Sequence, residues 1–223
     1  MPNQFPAAVL WDMDGTLIDS EPYWMLSQER LASERGSQWG HEQGLELVGK
    51  SLYDSSAIIK ESLDIRDLSI EQIIDRLTNE VVEQLREKLH WRPGALELLI
   101  ELKQAGVKTA LVTMSMRRMA LAVVEQVPFQ AFDVVVAGDD VTMGKPHPEP
   151  YLRAAELLEV SPEHCIALED SHTGLTSAES AGTFAIGIPS MVPIPSRDGR
   201  ILIETLEGFN LQKLVELRVT NRG

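Results

Sequence analysis

Five short apolar runs along the chain alternate with stretches in which apolar residues recur at helical spacing. Most of these runs are continuous and contain β-branched residues, which is typical of parallel strands covered on both faces. The runs are Ala7–Trp11, Thr109–Thr113, Val134–Ala137, Ile166–Leu168 and Phe184–Ile188. Because strands and helices alternate, the pattern predicts an α/β protein with a doubly wound, Rossmann-like parallel sheet.

Three helical stripes lie between the later predicted strands. Apolar residues three and four positions apart form one face of a helix, which packs against the sheet. The stripes are Ala95, Leu98, Leu99 and Leu102; Met116, Met119, Ala120, Val123, Val124 and Val127; and Leu152, Ala155 and Leu158. Each stripe predicts one helix.

The alternation is interrupted once, after the first predicted strand, where residues 19–91 show only helical patterns. The clearest pattern is an apolar stripe from Ile70 to Leu85, preceded by a capping box in which Ser69 faces Gln72. We therefore predict an α/β core at residues 1–18 and 92–223, with an inserted all-helical cap at residues 19–91.

The charge of the chain restricts its partners. Its 223 residues include 20 Lys and Arg against 34 Asp and Glu, for a formal net charge of −14. An acidic chain repels phosphate backbones and anionic lipid headgroups, so we expect no nucleic-acid partner and no membrane association. The length indicates one large domain, or a core with a modest insertion, and we expect a monomer.

Cysteine and histidine provide no further candidate chemistry. Cys165 is the single cysteine, which excludes an internal disulfide and a cysteine-built zinc site, and the five histidines lack metal-ligand spacing. Residues 1–6 lack the basic segment of a leader, and no stretch reaches the roughly 18 apolar residues of a membrane helix. We expect a cytoplasmic protein.

Polar residues follow four of the predicted strands, at the edge where open parallel sheets bind ligands. They are Asp12 and Asp14, then Thr113 and Ser115, then Gly144-Lys145-Pro146, then Glu169 and Asp170. Carboxylates a few ångströms apart either raise one pKa or require a cation between them, and Mg²⁺ suits such oxygen ligands best. Each acid alone is equally well interpreted as a helix cap or turn residue, but four together favour a magnesium site.

Thr113 and Lys145 each have two interpretations. The hydroxyl of Thr113 is a donor to a phosphate oxygen or a helix N-cap, and both roles can hold, because a helix N-terminus also offers backbone N–H groups to an anion. Lys145 either neutralises an aspartate or a phosphoryl group, or is a solvated loop lysine. Neither residue is specific by itself, and for Lys145 taken alone the solvated loop lysine is the better interpretation.

Four motifs, in order along the chain, resemble the signatures of the haloacid dehalogenase superfamily. They are Asp12-Met13-Asp14-Gly15-Thr16-Leu17, Val112-Thr113, Gly144-Lys145-Pro146 and Leu168-Glu169-Asp170-Ser171. The segment from Leu168 to Gly182 is similar to the branch that contains phosphoglycolate phosphatase and β-phosphoglucomutase. That branch also carries a helical cap after its first signature. The resemblance covers nearly the whole chain.

The resemblance implies phosphoryl chemistry. Asp12 is the implied nucleophile, which forms an aspartyl-phosphate, and Asp14 is the implied general acid and base. The implied ligands of Mg²⁺ are Asp12, the backbone carbonyl of Asp14, Asp170 and, directly or through water, Glu169. The groups implied to hold the phosphoryl oxygens are the Thr113 hydroxyl, the Met114 backbone N–H and Lys145.

The branch contains both phosphatases and mutases. Asp19-Ser20-Glu21-Pro22 resembles the cap entry of sugar-phosphate phosphatases, whereas the β-phosphoglucomutases usually have His where this chain has Trp24. Their cap loop also carries an Arg that Gly49-Lys50-Ser51-Leu52 lacks. We therefore predict hydrolysis of a small phosphorylated metabolite, with a sugar phosphate as the expected substrate and a phosphosugar mutase as the alternative.

The cap supplies candidate substrate-binding residues. Glu21 and Lys50 are the candidates, although Lys50 is as well explained as a solvated lysine. For Trp24 we favour packing against Leu31. A receiver-like module that is phosphorylated on Asp is a remote alternative, because receivers are about half this length and have no helical insertion.

Overall fold

The computed structural model describes residues 5–221, and both outer limits of the predicted core, residues 1 and 223, lie outside this range. The expectation that the chain lacks a basic leader falls partly on residues 1–4, which also lie outside it. Within the described part of the chain, no helix combines the length and apolar character needed to cross a membrane.

The described residues form a parallel sheet of six strands, which agrees with the predicted doubly wound α/β class. The strands are β1 (Ala8–Trp11), β2 (Lys108–Val112), β3 (Val134–Val136), β4 (Cys165–Glu169), β5 (Phe184–Gly187) and β6 (Ile201–Leu202). Their order in the sheet is β3-β2-β1-β4-β5-β6. The order reverses at β1, so the central strand has β2 on one side and β4 on the other, and ligands bind at such a reversal.

Helices cover both faces of the sheet. They are α1 (Glu21–Glu34), α2 (His41–Leu45), α3 (Leu52–Ser62), α4 (Ile70–Glu87), α5 (Ala95–Gln104), α6 (Arg117–Val124), α7 (Glu149–Leu157), α8 (His172–Ser180) and α9 (Leu211–Thr220). Val9 and Trp11 of β1 pack with α5, α6 and α9. Ala8 and Leu10 pack with α7 and α8 on the opposite face. Alternate side chains of one continuous apolar run therefore enter two cores.

Helices α1 to α4 follow β1 and share a hydrophobic cluster of their own, which includes Leu31, Ile59 and Leu77. The predicted capping box at Ser69 and Gln72 is present at the start of α4. The segments that lead into and out of this helical insertion run side by side. The Asp19 amide donates to the His90 carbonyl at 2.8 Å, and the Arg92 amide donates to the Leu17 carbonyl at 3.0 Å. Its separate character as a cap domain stays a prediction.

Two details differ from the predicted pattern. The segment after β5 continues into β6, which the sequence pattern did not indicate, because β6 is only two residues long and half-buried. Leu152 was expected on the buried face of its helix but is 42% exposed. Ala155 and Leu158 are buried as predicted, and Tyr151 and Ala154 complete the buried face in place of Leu152.

Candidate active site

Asp12 lies directly after β1, at the centre of the carboxyl edge of the sheet. Its amide donates to the Leu168 carbonyl of β4 at 3.0 Å, which continues the pairing of the two strands beyond Trp11. Asp12 is 6% exposed. Strand pairing thus places the Asp12 carboxylate beside Glu169 and Asp170, which follow from the neighbouring strand.

Lys145 is buried against two of these acids. Its Nζ lies 2.6 Å from Asp12 Oδ1 and 2.6 Å from Glu169 Oε1, and its side chain is 6% exposed. Nζ also donates to the Val112 carbonyl at 3.0 Å. Burial opposes the charged form, but the attraction of Asp12 and Glu169 outweighs it and raises the pKa of Lys145. The alternative of a solvated loop lysine is therefore wrong.

Glu169 is fully buried and held on both sides. The Tyr151 hydroxyl donates to Glu169 Oε1 at 2.5 Å, and Lys145 occupies the same oxygen. Lys145 Nζ also lies 5.3 Å from the centre of the Tyr151 ring. Burial, Glu169 and Asp12 together raise the pKa of Tyr151 well above its usual range, so the phenol stays a neutral donor.

The three acids together carry more negative charge than one lysine neutralises. Oxygen atoms of Asp12, Glu169 and Asp170 all lie within 4.8 Å of one another. Burial and Glu169 raise the pKa of Asp12 to about 7 against the opposing effect of Lys145. Burial, Asp12 and Glu169 raise the pKa of Asp170 well above its usual range. An all-oxygen, excess-negative cluster of this kind fits a hard divalent cation.

Gly15 allows the loop after β1 to approach Asp170. Its φ is +80°, a conformation that favours glycine. A Cβ at this position would overlap with the Asp170 carboxylate. The glycine of the first motif is thus explained by the close packing of that loop against the acid cluster.

Asp14 accepts hydrogen bonds from both parts of the molecule. Ser20 donates to Oδ1 at 2.5 Å and the Trp24 indole at 3.5 Å, whereas Ser115 donates to Oδ2 at 2.7 Å and Thr113 at 3.2 Å. The N-cap interpretation of Thr113 is wrong, because α6 begins later, with Met116 as its cap. Asp14 is thereby fixed between the sheet edge and α1.

Several of these partners were not among the predicted site residues. Ser20, Ser115 and Tyr151 contact the acids. Ser115 follows β2 at the predicted ligand-binding edge, whereas the sequence positions of Ser20 and Tyr151 carry no signal that separates them from ordinary loop and helix residues. Trp24 packs against the cluster that contains Leu31, as predicted, but its indole also reaches Asp14. The sequence pattern of α1 did not indicate this second contact.

A cavity of about 140 Å³ opens above the acids and extends into the helical insertion. Every predicted substrate-binding residue lines it: Glu21, Lys50, Thr113, Met114 and Lys145. Lys50 is exposed, whereas Glu21 is half-buried. Burial, with repulsion from Asp14 and Asp19, raises the pKa of Glu21 to about 7. The cavity joins the acid cluster to side chains of α1, α3 and α4.

Comparisons with known proteins agree with this arrangement. The model of the haloacid dehalogenase-like hydrolase family matches residues 9–188. A phosphorylated carbohydrates phosphatase of Thermotoga maritima is 35% identical over 199 residues, which cover 88% of this chain and 90% of that protein. A β-phosphoglucomutase of Bacillus subtilis is 28% identical over 230 residues, which cover 94% of each.

A solved structure shares the same architecture. CbbY from Rhodobacter sphaeroides, in complex with xylulose-1,5-bisphosphate, superposes with a TM-score of 0.85 at 29% identity. The match covers 94% of this chain and 99% of that one. The similarity therefore extends over the sheet and the helical insertion alike.

Proposed function

The chain belongs to the haloacid dehalogenase-like hydrolase family, and from this premise we propose that it hydrolyses a sugar phosphate through an aspartyl-phosphate at Asp12. It is a phosphoric monoester hydrolase of that family. One observation carries the finer proposal. Asp12 Oδ1 pairs with Lys145 at 2.6 Å in a buried acid cluster at the base of the cavity. Receiver-like signalling has no support, because the family match covers most of the chain.

Asp12 and Asp14 divide the chemistry between them. An oxygen of Asp12 attacks phosphorus while the bond from phosphorus to the leaving oxygen breaks, and Asp14 gives that oxygen its proton. A water molecule then attacks the aspartyl-phosphate, Asp14 takes the proton of that water, and phosphate leaves as the Asp12 carboxylate is restored. Lys145 holds the charge of the phosphoryl oxygens during both steps.

The acid cluster fits Mg²⁺. Asp12, Asp170 and the backbone carbonyl of Asp14 are the ligands that we propose. Oε1 of Glu169 is already occupied by Tyr151 and Lys145, which favours an indirect role through water. When bound, the ion neutralises charge on the phosphoryl group.

The identity of residue 24, a tryptophan, favours hydrolysis over mutase activity. The indole of Trp24 donates to Asp14, where the mutases usually have a titratable histidine. An indole carries a donor only and exchanges no proton near neutral pH. The Bacillus subtilis relative keeps a phosphosugar mutase as the second candidate.

Phosphate release from p-nitrophenyl phosphate and from a panel of sugar phosphates tests the proposal. We expect Mg²⁺-dependent turnover that EDTA abolishes and added Mg²⁺ restores. Asp12→Asn should lose all turnover and keep its circular dichroism spectrum, and Asp14→Asn should lose most turnover. The exposed Asp64 provides a matched control, Asp64→Asn, that should remain fully active.

Three results would contradict parts of the proposal. Full activity of Asp12→Asn would contradict the role of Asp12 as nucleophile, and activity in EDTA would contradict the requirement for Mg²⁺. Isomerisation that depends on glucose 1,6-bisphosphate, without phosphate release, would establish the mutase instead. The cytoplasmic location and the monomeric state stay predictions.

A further inference from the structure

The part of the cavity that lies away from the acids has an apolar wall. Its buried side chains come from the helical insertion: Leu47, Ile59, Ile74 and Leu77. Among the described residues that line the cavity, the cations are Lys145, which is held by Asp12 and Glu169, and the exposed Lys50. The wall therefore offers no buried positive charge to the leaving group, the part of the substrate that is not the transferred phosphoryl group.

Gln28 of α1 also lines the cavity and is held in one orientation by Trp39. The Trp39 indole donates to Gln28 Oε1 at 3.1 Å, and both side chains are buried. Because an indole N–H is a donor only, the amide oxygen must face it, and the amide NH₂ must point elsewhere. Within residues 5–221 that NH₂ has no hydrogen-bond partner.

Further polar groups line the cavity together with the NH₂ group of Gln28. The carboxylate of Glu21 and the hydroxyls of Ser55 and Ser56 line the same cavity, and their side chains make no hydrogen bond to the described part of the chain. Polar groups that line a partly buried cavity lose hydration when a ligand fills it, which costs free energy unless the ligand offers hydrogen bonds in return. A ligand with several hydroxyls, each both donor and acceptor, satisfies this mixed set.

We propose that Gln28, oriented by Trp39, is a specificity residue that donates a hydrogen bond to a hydroxyl of the leaving group. The substrate class that follows is the monophosphate of an uncharged, polyhydroxylated alcohol whose carbon-bound face lies on the apolar wall. This inference rests on the proposed phosphatase activity and narrows its substrate.

The same lining disfavours a second anionic group. A second phosphate or a carboxylate on the leaving group would approach Glu21 and Asp14 and would meet only the exposed Lys50. Like charges repel more strongly in a partly buried cavity than in bulk water. Sugar bisphosphates and 2-phosphoglycolate should therefore be poor substrates.

Two substitutions at Gln28 test the donor. Gln28→Glu keeps an oxygen for Trp39 but removes the NH₂, and Gln28→Met keeps the length without either group. A panel of pentose, hexose and hexitol monophosphates is compared with p-nitrophenyl phosphate, whose leaving group has no further hydroxyl to bind. For both variants, kcat/KM for the best monophosphate should fall at least ~10-fold more than kcat/KM for p-nitrophenyl phosphate.

Trp39→Phe tests the orientation. It keeps the amide of Gln28 and an aromatic ring at position 39 but removes the indole N–H that orients the amide. The ratio of kcat/KM for the best monophosphate to kcat/KM for p-nitrophenyl phosphate should therefore fall by a smaller factor, about 3-fold to 5-fold. Gln104→Glu, at an exposed position at the end of α5, is the matched control and should change neither value.

The outcomes separate the two proposals. No phosphate release from any ester by the wild-type protein with Mg²⁺ would overturn the phosphatase proposal itself. Turnover with equal losses on both substrate types in the Gln28 variants would overturn the role of Gln28 and leave the phosphatase standing. A wild-type preference for glucose 1,6-bisphosphate or 2-phosphoglycolate would overturn the substrate class.

Discussion

The backbone of Gly174 packs so closely against the Glu169 carboxylate that a Cβ at position 174 would overlap with both carboxylate oxygens. Gly174 lies in the first turn of α8, and its amide donates to the Ser171 hydroxyl at 3.1 Å. The start of α8 thus packs directly against the Glu169 carboxylate, which Tyr151 and Lys145 also contact.

Gly174→Ala should therefore disturb the acid cluster. The added methyl group has no free space, so α8 or Glu169 must shift, at a cost of about 1–3 kcal/mol in the free energy of unfolding. Activity should fall more than 10-fold, because the position of Lys145 depends on Glu169. Urea unfolding and phosphate release measure both effects.

Gly182→Ala provides the control for this substitution. Gly182 has a φ of +83° and open space around its Cβ position, so its variant carries a backbone cost but no steric overlap. It should lose about 1 kcal/mol of stability and keep its activity. Equal activity in the two variants would contradict the role given to Gly174.

Lys145→Met should be strongly destabilising as well as inactive. The substitution leaves Asp12 and Glu169 buried without their cation, which costs about 3 kcal/mol or more. Lys103→Met is the comparison, because Lys103 pairs with Asp133 at 2.8 Å near the surface and should cost less than about 1 kcal/mol. Chemical denaturation in the absence of Mg²⁺ gives both values. Equal losses would show that the Lys145 pairs contribute no more than a surface pair.

Much of the sheet was predictable from the sequence because its strands are buried on both faces. Continuous apolar runs at β1, β2 and β5 carry that signal directly, and the observed strands begin and end within one residue of the predicted ones. Strand β6 has no such signal. Two half-buried residues, Ile201 and Leu202, are too short a run to distinguish a strand from a loop.

The acids of the site were predictable for a topological reason, whereas the individual hydrogen bonds that fix them were not. Residues that follow neighbouring parallel strands meet at one edge, so Asp12 and Asp170 had to lie close together. Ser115 contacts Asp14 across 101 positions of sequence. The sheet topology places both residues at one edge, but only the folded chain shows that they are hydrogen-bonded, and serine is common in turns and loops of every kind.

The burial of Lys145 illustrates the same limit. A lysine between glycine and proline in a loop is ordinarily solvated, and local sequence favours that interpretation. Its burial depends on two carboxylates from two other strands, whose combined charge offsets the loss of water. Long-range electrostatics of this kind leave no local pattern.

Glu21 should make the stability of the protein depend on pH. Burial and the charges of Asp14 and Asp19 raise its pKa from 4.5 to about 7, so between these values the folded state binds more protons than the unfolded state. Its contribution to stability is therefore complete below about pH 4.5 and is lost as pH rises to about 7.

Glu21→Gln removes this titration. As the pH rises from 5 to 8, the free energy of unfolding of the variant should increase by about 1–3 kcal/mol relative to that of the wild type, since glutamine carries no charge to bury. Urea unfolding at the two pH values measures the gain. The exposed Glu207 provides the control, and Glu207→Gln should show no such change. An identical pH response of the wild type and Glu21→Gln would contradict the assignment.

The Thr173 hydroxyl donates to the Gly49 carbonyl at 3.1 Å and thereby connects α8 to the loop before α3, and both residues line the cavity. If the helical insertion moves as a cap during turnover, this contact stabilises the closed arrangement. Thr173→Val keeps the shape of the side chain and removes the donor, so kcat/KM for a sugar phosphate should fall about 5-fold, for a loss of about 1 kcal/mol. Thr220→Val, at the exposed end of α9, should leave kcat/KM unchanged. Steady-state kinetics with both variants measures the difference, and an unchanged kcat/KM in Thr173→Val would show that closure does not depend on this hydrogen bond.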